Sequence, residues 1–106
     1  MADVSRPILS ICVRCEHGDD LHRRVRALRK ERELKQDFKV DAVSCLGLCD
    51  DPCAVKLEGR ERSTYLRSCL HPRHDVERIV LAARAYATLA RGQELPERML
   101  PGEHQD

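Results

Sequence analysis

Apolar positions along this chain change period at each turn signal, and the changes divide it into short elements. Ile8, Leu9, Ile11 and Val13 make residues 7–13 a nearly continuous apolar run, which predicts a first strand buried on both faces. Residues 20–35 carry Leu21, Val25 and Leu28 at helical spacing, which predicts a first helix. Asp19 or Asp20 suits its cap, and Arg29, Lys30, Arg32 and Lys35 crowd its last turns, where cations complement the helix dipole. In residues 38–43, Phe38, Val40 and Ala42 alternate with Lys39 and Asp41, which predicts a second strand. A loop with Gly47 at its centre covers residues 44–52. Residues 53–58 and 63–69 read as a hairpin turning at Gly59 and Arg60, with Cys53, Val55 and Leu57 on one face. After Pro72, Asp75 suits a second cap. Val76, Ile79, Val80, Ala83, Ala87 and Ala90 then form the stripe of a second helix, closed by Gly92.

The resulting order, β-α-β-β-β-α, predicts an α/β chain with a reduced thioredoxin-like fold: a mixed four-stranded sheet and two helices. Two strands joined by one helix run parallel through a right-handed crossover. The loops that follow them open at the same sheet edge. Residues 1–92 form the expected domain. Residues 93–106, with two prolines and five charged residues, are expected as a loosely ordered tail.

Composition narrows the function classes. Among 106 residues, 19 Lys and Arg face 18 Asp and Glu, so there is no basic excess to suit nucleic acid. Two Tyr, one Phe and no Trp supply no base-stacking platform. No apolar run approaches the ~18 residues of a membrane helix. Residues 8–13 are too short for the core of a signal peptide and lead into Arg14, so the cytoplasm, where thiols stay reduced, is the expected compartment. No phosphate loop, paired carboxylate motif or Ser-His-Asp set stands out, so the chain does not read as a hydrolase or nucleotide enzyme.

Six cysteines carry the chemistry. Cys12 and Cys15 make a C-x2-C pair at the end of the first strand, and Cys45 and Cys49 a C-x3-C pair just after the second. The topology brings both pairs to one edge. Four thiolates converging from two loops suit a tetrahedral metal or a small iron–sulfur cluster. Cys53 reads either as a fifth sulfur at this edge or as a core residue alternating with Val55 and Leu57. Cys69 reads as a semi-buried small residue. His71 and His74 could join it in a second site, and His17 could substitute at the first, but loop histidines more often serve no ligand role. The basic face of the first helix, with Arg23, Arg24, Arg26, Arg29, Lys30, Arg32 and Lys35, is either a solvated face or a docking surface for an acidic redox partner. A C-x2-C pair after a first strand is also the thiol–disulfide oxidoreductase arrangement, but it would leave Cys45 and Cys49 without a role.

The run from Ser44 to Pro52, with Cys45, Leu46, Gly47, Leu48 and Cys49, resembles the second cluster loop of thioredoxin-like 2Fe–2S ferredoxins. Among these is the small ferredoxin-like subunit of respiratory NADH dehydrogenase. With Cys53, Ala54 and Val55 and with Thr64, Tyr65 and Leu66, the stretch from Ile11 to about Gly92 also resembles a small uncharacterised bacterial family of predicted metal-binding proteins. The resemblance implies Cys12, Cys15, Cys45 and Cys49 as ligands of a 2Fe–2S cluster, an electron-transfer role and a protein redox partner. That family tends to carry a cysteine at the position of Cys53, which leaves its role open between a core residue and an additional ligand. Its association with cobalt and cobalamin metabolism implies a metal-handling alternative. The first pair is C-x2-C where the respiratory subunits have C-x4-C, and this keeps a mononuclear metal such as zinc as the alternative occupant. Monomer and homodimer both stay open.

Overall fold

The computed structural model describes residues 6–14, 17–44, 54–59, 63–68, 70–89, 93–100 and 103–104. The elements follow the expected order: β1 (Ile8–Cys12), α1 (Gly18–Glu31), β2 (Lys39–Val43), β3 (Val55–Glu58), β4 (Tyr65–Ser68) and α2 (Val76–Ala87). A short 3-10 turn (Glu97–Met99) and β5 (Glu103–His104) come after them. The sheet runs β2-β1-β3-β4-β5. β1 pairs parallel with β2, from Ile8 opposite Lys39 to Cys12 opposite Val43. On its other side β1 pairs antiparallel with β3, and β3 with β4. The α/β class, the parallel pair joined through α1 and the hairpin are therefore as the pattern of apolar residues predicts.

β1 lies inside the sheet with a strand on each side, and its side chains are buried on both faces. Leu9, Ser10, Ile11 and Cys12 are all buried. Leu9 and Ile11 project toward one face and join a core with Leu21 and Val25 of α1, Val55 and Leu57 of β3, and Ile79, Val80 and Ala83 of α2. Ser10 and Cys12 alternate to the other face. β2 sits at the sheet edge, and its residues range from half-buried to exposed. That explains its polar alternation.

α1 stops four residues earlier than the pattern suggests. Arg32 is its C-cap, and Glu33 takes a left-handed backbone with φ 58°. The Glu33 N–H donates to the Lys30 carbonyl at 3.1 Å and the Leu34 N–H to the Arg29 carbonyl at 2.9 Å, the paired bonds of a Schellman motif. Leu34 is buried at 6% exposure. Its burial gains about 1.5–3 kcal/mol, enough to offset the roughly 1–2 kcal/mol that a left-handed non-glycine residue costs.

Two caps also differ from expectation. His17, not Asp19 or Asp20, precedes α1, and the Asp20 N–H donates to the Asp19 carboxylate inside the first turn at 2.9 Å. Asp75 stands at the N-cap of α2, but its carboxylate accepts the His71 N–H at 2.8 Å instead of a helix amide. α2 ends at Ala87, with the Thr88 hydroxyl donating to the Ala85 carbonyl at 2.8 Å; Ala90 and Gly92 lie outside the described residues.

The segment after Gly92 departs from the expected loose tail. Leu95 and Leu100 are buried in the core. β5 pairs antiparallel with β4, Ser68 opposite Glu103, and adds a fifth strand. The attachment is specific: the Leu95 N–H donates to the Tyr65 hydroxyl oxygen at 2.8 Å. Tyr65 packs edge-on against Tyr86, with ring centroids 5.8 Å apart, and the Tyr86 hydroxyl donates to the Ser63 carbonyl at 2.7 Å. The buried Arg67 guanidinium lies over the Tyr65 ring at 5.7 Å, so its charge rests on an aromatic face. Arg98, between the two leucines, is exposed.

Glu33→Gly is expected to raise stability by roughly 0.5–1 kcal/mol, because glycine adopts the left-handed conformation without the steric cost. Urea unfolding with an unchanged m-value is the check; a loss of stability would show that Glu33 itself makes a stabilising contact.

Candidate functional site

The carboxyl ends of β1 and β2 finish level with each other. The Val13 N–H donates to the Val43 carbonyl at 2.9 Å, one residue beyond the paired strands. On the other side, the Cys12 N–H donates to the Ala54 carbonyl at 3.1 Å, just before β3 begins. Cys12 is thus held between the exit of β2 and the entry of β3. Its side chain is 1% exposed, and Sγ approaches the Ser44 carbonyl oxygen at 3.9 Å, a weak thiol hydrogen bond. Cys12 is not a member of the core cluster formed by Leu9 and Ile11, in keeping with its position on the other face of β1.

Of the sequence-predicted ligands, Cys12 is the described one. Cys15, Cys45, Cys49, Cys53 and Cys69 lie outside the described residues. Among the described residues, no group of three or more His, Cys, Asp and Glu is gathered as a metal site. Ser44 directly precedes Cys45, and Ala54 directly follows Cys53. The two residues whose carbonyls contact Cys12 are therefore the sequence neighbours of two further cysteines.

Gly18 fixes the first cysteine loop from its far end. A Cβ on Gly18 would sit 2.0 Å from the Cys12 carbonyl oxygen and 3.2 Å from Val13 Cα. The obstacle is backbone, which cannot swing aside. The helix start consequently presses directly on the end of β1, and His17 absorbs the turn with a left-handed backbone at φ 66°. A glycine between a cysteine pair and a helix is the signal that marks such a close approach.

Of the second candidate site, His71 and His74 are described and Cys69 is not. His71 Nδ1 accepts the N–H groups of Arg73 and His74, both at 3.1 Å, and its ring stacks on His74 at 3.9 Å. The imidazole thus serves as a cap for the turn before α2, and Nδ1 is committed to backbone rather than to a metal. His17 is exposed at the helix entry.

The basic face of α1 divides in two. Asp20 pairs with Arg23 and with Arg24, the latter at 3.1 Å, and these cations hold its carboxyl below the usual range, the Arg24 hydrogen bond most of all. Arg32 reaches Glu77 of α2 at 2.9 Å. These are ordinary solvated pairs and tie down surface side chains at little net gain. Arg26, Arg29, Lys30 and Lys35 have no carboxylate within ion-pair range among the described residues.

Fold and edge together define a small α/β protein with a buried cysteine where a parallel strand pair ends. The chain belongs to the family described as protein of unknown function DUF1636, whose model matches residues 9–105. The match includes the segment beyond Gly92, as its place in the sheet and core requires. No curated protein and no solved structure matches the chain. No described helix is long and apolar enough to cross a membrane.

Gly18→Ala is expected to destabilise the chain by about 1–3 kcal/mol, since the added methyl meets fixed backbone. Chemical denaturation measures this. A neutral result would mean that the start of α1 moves away from Cys12 without cost.

Proposed function

We propose that this chain is an electron-transfer protein carrying a 2Fe–2S cluster on Cys12, Cys15, Cys45 and Cys49, with Cys53 as an additional sulfur at the same edge. The observation that supports this most directly is the position of Cys12. It is buried at the carboxyl edge of the sheet, bonded to the residues that adjoin Cys45 and Cys53. Consecutive Cα atoms are about 3.8 Å apart, so chain connectivity keeps Cys45 within one such step of Ser44, and Cys53 within one of Ala54. Cys15, three residues from Cys12, is limited to a reach of roughly 10 Å.

The donor chemistry fits the group. Thiolates are the ligands of such clusters, and a centre at a sheet edge has a short path to a docked partner. The bound cluster would supply one-electron chemistry. The chain's own part is to hold the thiolates, keep them from solvent and anchor the two loops to a rigid strand pair. The Cys12 thiol proton, now directed at the Ser44 carbonyl, would be released on ligation, which makes loading favourable at higher pH. No substrate pocket is needed at this edge, and the role is that of a carrier for a protein redox partner.

A mononuclear zinc on the same four cysteines is the second reading, favoured by the C-x2-C spacing of the first pair, which is the spacing of structural zinc sites. It makes the chain a metal-binding module without a redox role. A cobalt-handling role would use the same sulfurs with exchangeable binding.

Anaerobic purification followed by metal and sulfide analysis separates these readings. The expected result is coloured protein with about two irons and two sulfides per chain. Colourless protein with about one zinc that unfolds in chelator would establish the second reading and remove the first. Cys45→Ser and Cys49→Ser are each expected to abolish the centre, and Cys69→Ser to retain it. Loss in Cys69→Ser with retention in Cys15→Ser would overturn the ligand set.

A further inference from the structure

Beside α1 runs a groove of about 320 Å³ lined by His22, Arg23, Arg26, Arg29, Lys30 and Lys35. We propose that it binds a small, multiply charged anion of the phosphate class, such as an oligophosphate or a phosphate ester. This inference does not rest on the cysteine centre.

Two kinds of arginine occur on this helix. Arg23, Arg24 and Arg32 are matched by the carboxylates of Asp20 and Glu77. Arg29, which lines the groove, and Arg6, close enough to repel it, are instead anchored by neutral backbone acceptors. Arg29 Nη1 donates to the Phe38 carbonyl at 3.0 Å, and Arg6 Nη1 donates to the Lys35 carbonyl at 2.7 Å. Such bonds fix position and leave the charge uncancelled. The Nε atoms of Arg6 and Arg29 are both buried without an acceptor. A face built only for solvation would let these side chains spread into water. Here two guanidinium groups are held near each other and near Arg26.

The electrostatics agree with the geometry. Burial, then repulsion from Arg26 and Arg6, pushes the Arg29 pKa down. Burial also lowers that of His22, with Arg26 and Arg29 of the same helix adding to the effect and Asp41 of β2 opposing it. Asp41 is thus set against a cluster of cations that still lowers the His22 pKa. An anion with several oxygens relieves the repulsion and meets guanidinium forks in the geometry they match best. The volume lies at the lower end of small-ligand pockets, which suits a compact ligand.

The test is calorimetric titration of the as-purified full chain with inorganic tripolyphosphate, pyrophosphate, orthophosphate and citrate, at constant ionic strength set by chloride. Saturable binding of one tripolyphosphate per chain is expected, tighter than pyrophosphate and orthophosphate, with citrate weaker than tripolyphosphate. Arg26→Gln and Lys30→Gln, both at exposed positions, should each weaken it roughly tenfold, the equivalent of one charge-assisted hydrogen bond. Arg84→Gln, on the exposed side of α2, should leave it unchanged. Proton NMR should show the His22 pKa rising when the anion is bound. Absence of saturable binding into the millimolar range, equal weakening by Arg84→Gln, or an unmoved His22 titration would each overturn the site. Citrate binding as tightly as tripolyphosphate would overturn the phosphate class.

Discussion

Everything in this molecule is arranged around β1 having a neighbour on each side. A strand hydrogen-bonded to both β2 and β3 cannot turn either edge to water, and its side chains are buried on both faces. The apolar run Ile8 to Val13 answers that demand on the core side, where Leu9 and Ile11 meet both helices. On the other side stand Ser10 and Cys12, small residues with polar or polarisable atoms. The burial of Cys12 thus follows from the strand it belongs to, and so does its position where two loops depart. Gly18 completes the constraint by letting α1 start against the end of the same strand.

The charges of α1 show how one sequence pattern serves different ends. Basic residues at helical spacing look uniform in the sequence, yet those near Asp20 and Glu77 are paired, and those near Lys35 have no carboxylate partner among the described residues. The difference arises because the segment between α1 and β2 presents carbonyl oxygens there, that of Phe38 accepting from Arg29 and that of Lys35 from Arg6. A carbonyl holds a guanidinium in place without cancelling its charge. Surface electrostatics of this kind depend on what the neighbouring element offers, which no count of Lys and Arg reveals.

The described part of the cysteine edge is economical in its use of side chains. Backbone bonds from Cys12 and Val13 do the joining, through Ala54 and Val43. Main-chain contacts of this type hold the ends of β1 and β2 and the entry to β3 together without using side chains. For the electron-transfer centre proposed at this edge, such a frame would limit rearrangement around the metal when its charge changes.

Sequence alone determined the order of elements, the parallel pairing of β1 with β2, the hairpin and the α/β class, because each depends on local periodicity and on a handful of turn residues. It also singled out Cys12 at the end of β1. Only the tertiary structure decided the end of α1, where burial of Leu34 drives Glu33 into a left-handed turn that no glycine announces. The same holds for the C-terminal segment, whose prolines and charges conceal two leucines five residues apart that reach the core from either side of a short 3-10 turn. It holds too for His71, whose ring is used as a cap because the chain folds back on it at Arg73 and His74. In each case the deciding partner is distant in sequence or set by a turn geometry, and local pattern carries no record of it.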